Sequence, residues 1–333
     1  MNRLTKASIL LSLLTFCCAS APAAQKLGDL VSEVGKGWVI GHWTATTDQG
    51  GKIHLDFDWA LDRHAILTDI RMGDYQHRGV IALVPGTEDL LDAGADNHGG
   101  TTKGTWYEEE AGLVNRVERT DPEGEVQTMD FIYNRAGADA MTVALYGVDA
   151  QGRRSEDSLS KLTYRRTEGA GIRDAAVQSS PRTTDHASLG DLMSENGYEW
   201  LLGKWKANRD GRVYELEYEP ILDRHAVATD VRIGDFHYRG LVVYAPHSFE
   251  VRQAGADSLG GLWKGTWDEA YEGAVNRIEY TRPDGTVQRM EHVYRRVDDD
   301  TFKVEEYALQ PGGYRASSPQ GTLRFERQQD EGG

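Results

Sequence analysis

The chain has 333 residues, 39% of them hydrophobic, with 37 basic against 53 acidic residues and a formal net charge of −16. A surface this acidic repels phosphate backbones and anionic membranes, and no basic stripe interleaved with aromatics offsets it, so no nucleic-acid partner is expected. The only cysteines, Cys17 and Cys18, leave no thiolate metal site, no cysteine nucleophile and no disulfide framework in the body of the chain.

Residues 1–24 read as a targeting segment. Arg3 and Lys6 form a basic start, residues 7–19 an apolar run, and Ala21-Pro22-Ala23 offers the small residues that signal peptidase requires. The run is too short to anchor in a bilayer, and no later stretch of about 18 apolar residues follows. The expectation is an exported, cysteine-free monomer, periplasmic or extracellular, with a net charge near −18 and no membrane anchor. A lipoprotein signal at Cys17 is the alternative, which bulky Phe16 fits poorly.

Each half then opens with a short helical signal, Leu27-Gly28-Asp29-Leu30-Val31-Ser32-Glu33 and Leu189-Gly190-Asp191-Leu192-Met193-Ser194-Glu195, stopped by Gly35 and Gly197. Short β runs punctuated by turn residues follow. In the first half, strands are expected near 42–47, 52–60, 64–72, 78–84, 89–94, 101–109, 113–120, 126–134, 140–148 and 161–166. Hairpin turns are marked by Asp48-Gln49-Gly50-Gly51, Gly73-Asp74 and Thr120-Asp121-Pro122-Glu123-Gly124.

Residues 52–166 recur 161 residues later, with about 45 of those 115 positions identical. Leu61-Asp62-Arg63-His64-Ala65 returns as Leu222-Asp223-Arg224-His225-Ala226, and Lys103-Gly104-Thr105-Trp106 as Lys264-Gly265-Thr266-Trp267. The period is that of a domain, not of a solenoid unit. The expected organisation is a first repeat at 25–166, a Ser/Thr/Ala/Gly/Pro-rich linker at 167–188, a second repeat at 189–328 and a polar tail at 329–333. About ten consecutive antiparallel strands per repeat predict an all-β fold of two tandem up-and-down barrels, because closure removes the exposed edges of so wide a sheet. A barrel of this size holds packed side chains or one small ligand.

A short helix, then Gly41-His42-Trp43 or Gly203-Lys204-Trp205, then a closed meander resembles the lipocalin-like (calycin) group. More narrowly, the chain resembles exported bacterial proteins with a lipocalin-like domain of unknown function. The resemblance implies a ligand-holding barrel whose tryptophan, Trp43 or Trp205, seals the closed end under a late arginine, Arg166 or Arg327. It implies no particular reaction.

Strand 64–72 sets His64, Ile66, Thr68 and Ile70 on one face, opposite Ala65, Leu67, Asp69 and Arg71. The second copy repeats the split with Asp230 and Arg232. Arg116–Glu118 and Arg277–Glu279 form a similar pair on another strand. Two readings stand. Facing outward, these are solvated pairs worth little; facing inward, the arginines make a receptor for a carboxylate or another polar anion. Trp106 and Tyr133 recur as Trp267 and Tyr294, either as wall residues or lining a cavity with Lys103, Asn115 and Gln127. Asn115 and Arg116 are adjacent, so their faces cannot both line the lumen. Candidate ligand residues are therefore Asp69, Arg71, Trp106, Arg116, Glu118 and Tyr133, with Asp230, Arg232, Trp267, Arg277, Glu279 and Tyr294.

His64 and His225 are the only histidines kept in both copies, and no shared serine accompanies them outside the opening helix, so a Ser-His-Asp site lacks support. The histidine spacings predict no metal site, and no cofactor is expected. Gly94-Ala95-Asp96 with Gly99-Gly100 is a turn, not a phosphate loop. The leading expectation is small-molecule binding in one or both barrels. The alternatives are a hydratase- or cyclase-type enzyme acting on an apolar, isoprenoid-like substrate through Asp69, Asp230, Tyr133 and Tyr294, and a structural module with filled barrels. Departures between the copies (His77 against Tyr238, Phe131 against His292, Thr102 against Trp263) predict that any two sites differ.

Overall fold

The computed structural model describes residues 25–168 and 187–329, apart from 272 and 311. The expected targeting segment, most of the linker and the end of the tail lie outside the described residues.

Two closed ten-stranded antiparallel barrels follow one another, each preceded by a short helix. In barrel 1, helix α1 (Leu27–Glu33) precedes β1 (Gly41–Thr46), β2 (Lys52–Ala60), β3 (Ala65–Met72), β4 (Tyr75–Leu83) and β5 (Leu90–Asp96). The meander continues through β6 (Thr101–Glu109), β7 (Gly112–Thr120), β8 (Val126–Arg135), β9 (Ala140–Val148) and β10 (Ser160–Thr167). In barrel 2, α2 (Leu189–Glu195) precedes β11 (Gly203–Arg209), β12 (Arg212–Ile221), β13 (Ala226–Ile233), β14 (Phe236–Ala245) and β15 (Glu250–Asp257). Then come β16 (Leu262–Ala270), β17 (Gly273–Thr281), β18 (Val287–Asp298), β19 (Thr301–Ala308) and β20 (Gly321–Arg327). Closure is made by β1 on β10 and β11 on β20, where Trp43 sits opposite Arg166 and Trp205 opposite Arg327.

Alternation drives the sheet. In β2 the inward row is Ile53, Leu55 and Phe57, and in β12 it is Tyr214, Leu216 and Tyr218; these rows join the two main cores. Trp43 and Trp205 are each 1% exposed, and burying an indole removes roughly 200 Å² from water, worth about 5 kcal/mol before entropy is counted. Each indole donates to a carbonyl four residues earlier, Val39 or Leu201. The guanidinium of Arg166 lies 4.1 Å from the Trp43 ring and bonds the Ile40 and Trp38 carbonyls; Arg327 repeats this over Trp205 with Leu202 and Trp200. A planar fork meets two terminal acceptors while its face covers the ring.

The segment before β3 departs from expectation. His64 does not begin the strand but closes a 3-10 turn, Leu61–Arg63, in which Leu61, Asp62 and Arg63 all have left-handed φ of 53°, 53° and 68°. Leu222, Asp223 and Arg224 repeat it at 55°, 53° and 70°. Such backbone is unfavourable for side-chain-bearing residues and persists only when its surroundings fix it. Here Arg63 reaches back to the Gly28 carbonyl of α1, Arg224 to the Gly190 carbonyl of α2, and the leucines insert between the barrels. Leu61, Ala65, Val80 and Ala82 of barrel 1 pack on Ala256 and Leu262 of barrel 2, while Ile221, Leu222 and Ala226 of barrel 2 pack on Ala95 of barrel 1. Ala95 and Ala256 occupy equivalent positions, so the contact is a pseudo-two-fold one.

Candidate functional site

The outer faces account for the charged pairs. Asp69 accepts from Arg78 at 3.1 Å and pairs with Arg71 at 2.9 Å; Asp230 holds Arg232, Arg239 and His237. Arg116 forks onto Asp130, Glu118 pairs with Lys103, Arg277 with Asp268 and Glu291, and Glu279 with Arg289. None of these lines a lumen: the inward alternate of β3 is Ile66, Thr68 and Ile70, and the inward alternate of β7 contains Asn115, not Arg116. The inward placement entertained for Asp69, Arg71, Arg116, Glu118, Asp230, Arg232, Arg277 and Glu279 is therefore replaced by an outward one. Trp106, Tyr133, Trp267 and Tyr294 do point inward. The structure brings Trp106 onto Tyr133 at 5.5 Å and Trp267 onto Tyr294 at 5.0 Å.

His64 and His225 belong to the inter-barrel seam. His225 stands over Gly99 of barrel 1, and His64 shares a crevice with Gly260 and Gly261 of barrel 2. Burial lowers both imidazole pKa values. The recurring histidine and the recurring glycine turn are thus two sides of one contact.

The lumens differ. Across β16 to β20, inward residues form one cross-strand row: Trp267, Asn276, His292, Glu306 and Gly321 are successive partners. The matching row of barrel 1 is Trp106, Asn115, Phe131, Leu145 and Ser160. On the facing wall, Tyr214 and Tyr218 replace Ile53 and Phe57. Barrel 2 contains a cavity of about 130 Å³, lined by Tyr214, Thr229, Asn276, His292, Tyr294 and Glu306 among others. A second cavity of about 240 Å³, apolar and bordered by Leu189, Leu192 and Met193 of α2, approaches from the helix end. Tyr218 borders both, and its hydroxyl donates to that of Tyr294 at 3.3 Å.

Polar atoms converge on the smaller cavity without protein partners: Tyr214 Oη, Thr229 Oγ1, Asn276 Oδ1, His292 Nε2 and Glu306 Oε1. Glu306 is 8% exposed, and burial pushes its carboxyl up to about 7, with Arg209 at the rim pulling the other way. Burial lowers His292 to about 4, leaving the imidazole neutral at ordinary pH, and raises Tyr294 to about 12. A buried polar group left unpaired costs about 1–3 kcal/mol, so five facing one space mark it as a place for polar atoms other than the protein's own.

Barrel 1 carries its own buried carboxyl. Asp92 accepts from Trp106 Nε1 at 2.8 Å and Asn115 Nδ2 at 3.1 Å, and burial raises it to about 6. In barrel 2 the position is Gln253, which accepts the same two bonds from Trp267 and Asn276 and donates a third to Tyr238. His77, bonded to Thr102 and lowered by burial to about 4, stands where barrel 2 has Tyr238.

Sequence reasoning missed Glu306, Tyr214 and Asp92 as site residues; Asn276 is the second copy of Asn115, which it did place beside the cavity. A signal for Glu306 was present: it continues the parity of Phe302 and Val304, where the first copy reads Met141, Val143 and Leu145. Among the described residues, no group of three or more His, Cys, Asp or Glu side chains is placed to hold a metal ion.

No protein-family model matches the chain. No curated protein matches it either. Among solved structures, one of a protein of unknown function from the DUF3598 family of Nostoc punctiforme PCC 73102 aligns at 10% identity. It covers 87% of this chain and 96% of that one, with a TM-score of 0.20, too low to carry weight for fold or function.

Proposed function

We propose that this is an exported, lipocalin-like binding protein whose second barrel holds a small amphipathic molecule, while the first acts as a closed structural companion. The carrying observation is the set of five unpartnered polar atoms around the 130 Å³ cavity of barrel 2. A cavity of about 150 Å³ accommodates one benzene-sized molecule, which limits the occupant of the inner chamber to about six heavy atoms. A longer apolar tail would extend past Tyr218 into the helix-end cavity.

A test grafts barrel 1 identities into barrel 2. Trp263 lines the inner cavity and Trp267 the outer one, so tryptophan fluorescence reports occupancy of either. Small organic compounds are expected to change the emission of the native protein and to leave the His292→Phe/Glu306→Leu protein unchanged. An equal response from both proteins would count against the lumen as the binding place.

A second reading, proton-transfer catalysis of the hydratase or cyclase kind, draws on Glu306 alone. A carboxyl raised by burial to about 7 in an aromatic-lined chamber is poised to give or take a proton. Asp69 and Asp230, the acids first considered for that role, lie on the outer faces and do not reach the chamber.

A further inference from the structure

We infer that the inner chamber of barrel 2 selects a small protonated amine, with Glu306 as its counter-ion. This rests on the lumen of barrel 2 being a binding site.

The unpartnered atoms describe the ligand by what they lack. Glu306 Oε1 and Asn276 Oδ1 are acceptors with no donor. The Asn276 amide nitrogen is already committed to Gln253, so its oxygen is the atom left over. His292, neutral at ordinary pH and directly across the β18–β19 ladder from Glu306, adds a ring nitrogen that accepts in one tautomer. A group donating several hydrogen bonds at once satisfies this arrangement, and an ammonium carries three donors and no acceptor. Around these atoms stand the rings of Tyr214, Tyr218, Tyr238, Trp263 and Tyr294. Their π faces attract a desolvated cation and offer nothing to an anion.

The charge balance agrees. Glu306 is the acidic residue of the lining, and the other charged and titratable groups there are Arg209 from β11, Tyr214 and Tyr218 from β12, Tyr238 from β14, and His292 and Tyr294 from β18. Arg209 sits at the rim and already pairs with Asp210 at 3.6 Å. A carboxylate ligand would meet Glu306 as a like charge in a poorly screened space. The charge of an ammonium offsets the desolvation that keeps Glu306 partly protonated, so its binding near pH 7 expels a fraction of a proton.

The test uses the full chain and three probes of nearly equal size: n-butylamine, 1-butanol and butyrate, titrated by calorimetry with tryptophan fluorescence in parallel. At pH 8 the amine is expected to bind at least tenfold more tightly than the alcohol, and butyrate more weakly than either. At pH 7 the amine is expected to release a fraction of a proton, read from the dependence of the heat on buffer ionisation. Glu306→Gln, which keeps shape and polarity, should bring the amine down to the alcohol and leave the alcohol within twofold. Alcohol binding with no amine preference, or with a preference that survives Glu306→Gln, overturns the amine assignment and leaves the lumen site standing. Binding led by butyrate does the same. Absence of binding by all three overturns both.

Discussion

Barrel 1 and barrel 2 share their seal and their seam but not their interior. Tryptophan under arginine at 4.1 Å, the left-handed turn, and the Leu61/Ala65 and Leu222/Ala226 pairs of the contact recur in both. The cross-strand row from Trp106 to Ser160 is instead completed with Phe131 and Leu145, and the row from Trp267 to Gly321 with His292 and Glu306. Features serving closure tolerate little change because each side chain there satisfies a backbone group. A lumen wall has no such duty, so a largely apolar row and a polar one are both compatible with one frame.

The largest effect should show how fully the seal is shared. Trp43→Ala and Trp205→Ala each leave a hole beneath a guanidinium, and each is expected to cost its own barrel about 4 kcal/mol. Denaturant melts followed in single-barrel tryptophan variants would check this; a loss confined to one of the two would break the equivalence.

Next, the interiors should differ in their response to pH. A carboxyl raised by folding binds protons more tightly in the native state, so stability falls as pH rises between its unfolded and folded values. For Glu306 that window runs from the usual 4.5 to about 7, and for Asp92 from 3.8 to about 6. Both effects are near 3 kcal/mol. The His292→Phe/Glu306→Leu graft should abolish the fall in barrel 2 and raise its stability at pH 8 by about 3 kcal/mol, measured by urea titration at pH 5 and 8.

Asp92→Asn gives barrel 1 an amide where barrel 2 already has one in Gln253. The new oxygen still accepts from Trp106 and Asn115, and the charge penalty disappears. The expected gain at pH 8 is about 2 kcal/mol, near 5 °C in the barrel 1 transition by calorimetry, with none at pH 4.

Smallest is Arg166→Lys. An ammonium keeps the charge over Trp43 but cannot reach both the Ile40 and Trp38 carbonyls as a fork does, and a loss of about 1 kcal/mol is expected. Arg327→Lys should match it within error.

The barrels, their strand parity and the turn positions were legible because inward apolar residues alternate with outward polar ones on most strands, and because proline and glycine mark the hairpins. β3 was less legible. Its outer face carries Ala65 and Leu67 because it meets the other barrel, and its inner face carries Thr68, so neither side contrasts in polarity and the direction of Asp69 could not be read. At 2% exposure Asp69 is nevertheless on the outside, enclosed by Arg71 and Arg78. Glu306 escaped for the converse reason. A glutamate next to Glu305 looks like one more solvated charge until the register sets it beside His292.

The pseudo-two-fold seam has a further consequence. An isologous patch makes a lone half its own natural mate, so a single-barrel fragment of this chain should associate into a pair. In such a homodimer any mutation appears in both chambers at once. Two non-identical halves in one polypeptide escape that restriction: one chamber carries His292 and Glu306 while its twin keeps Phe131 and Leu145, and both still share the seam.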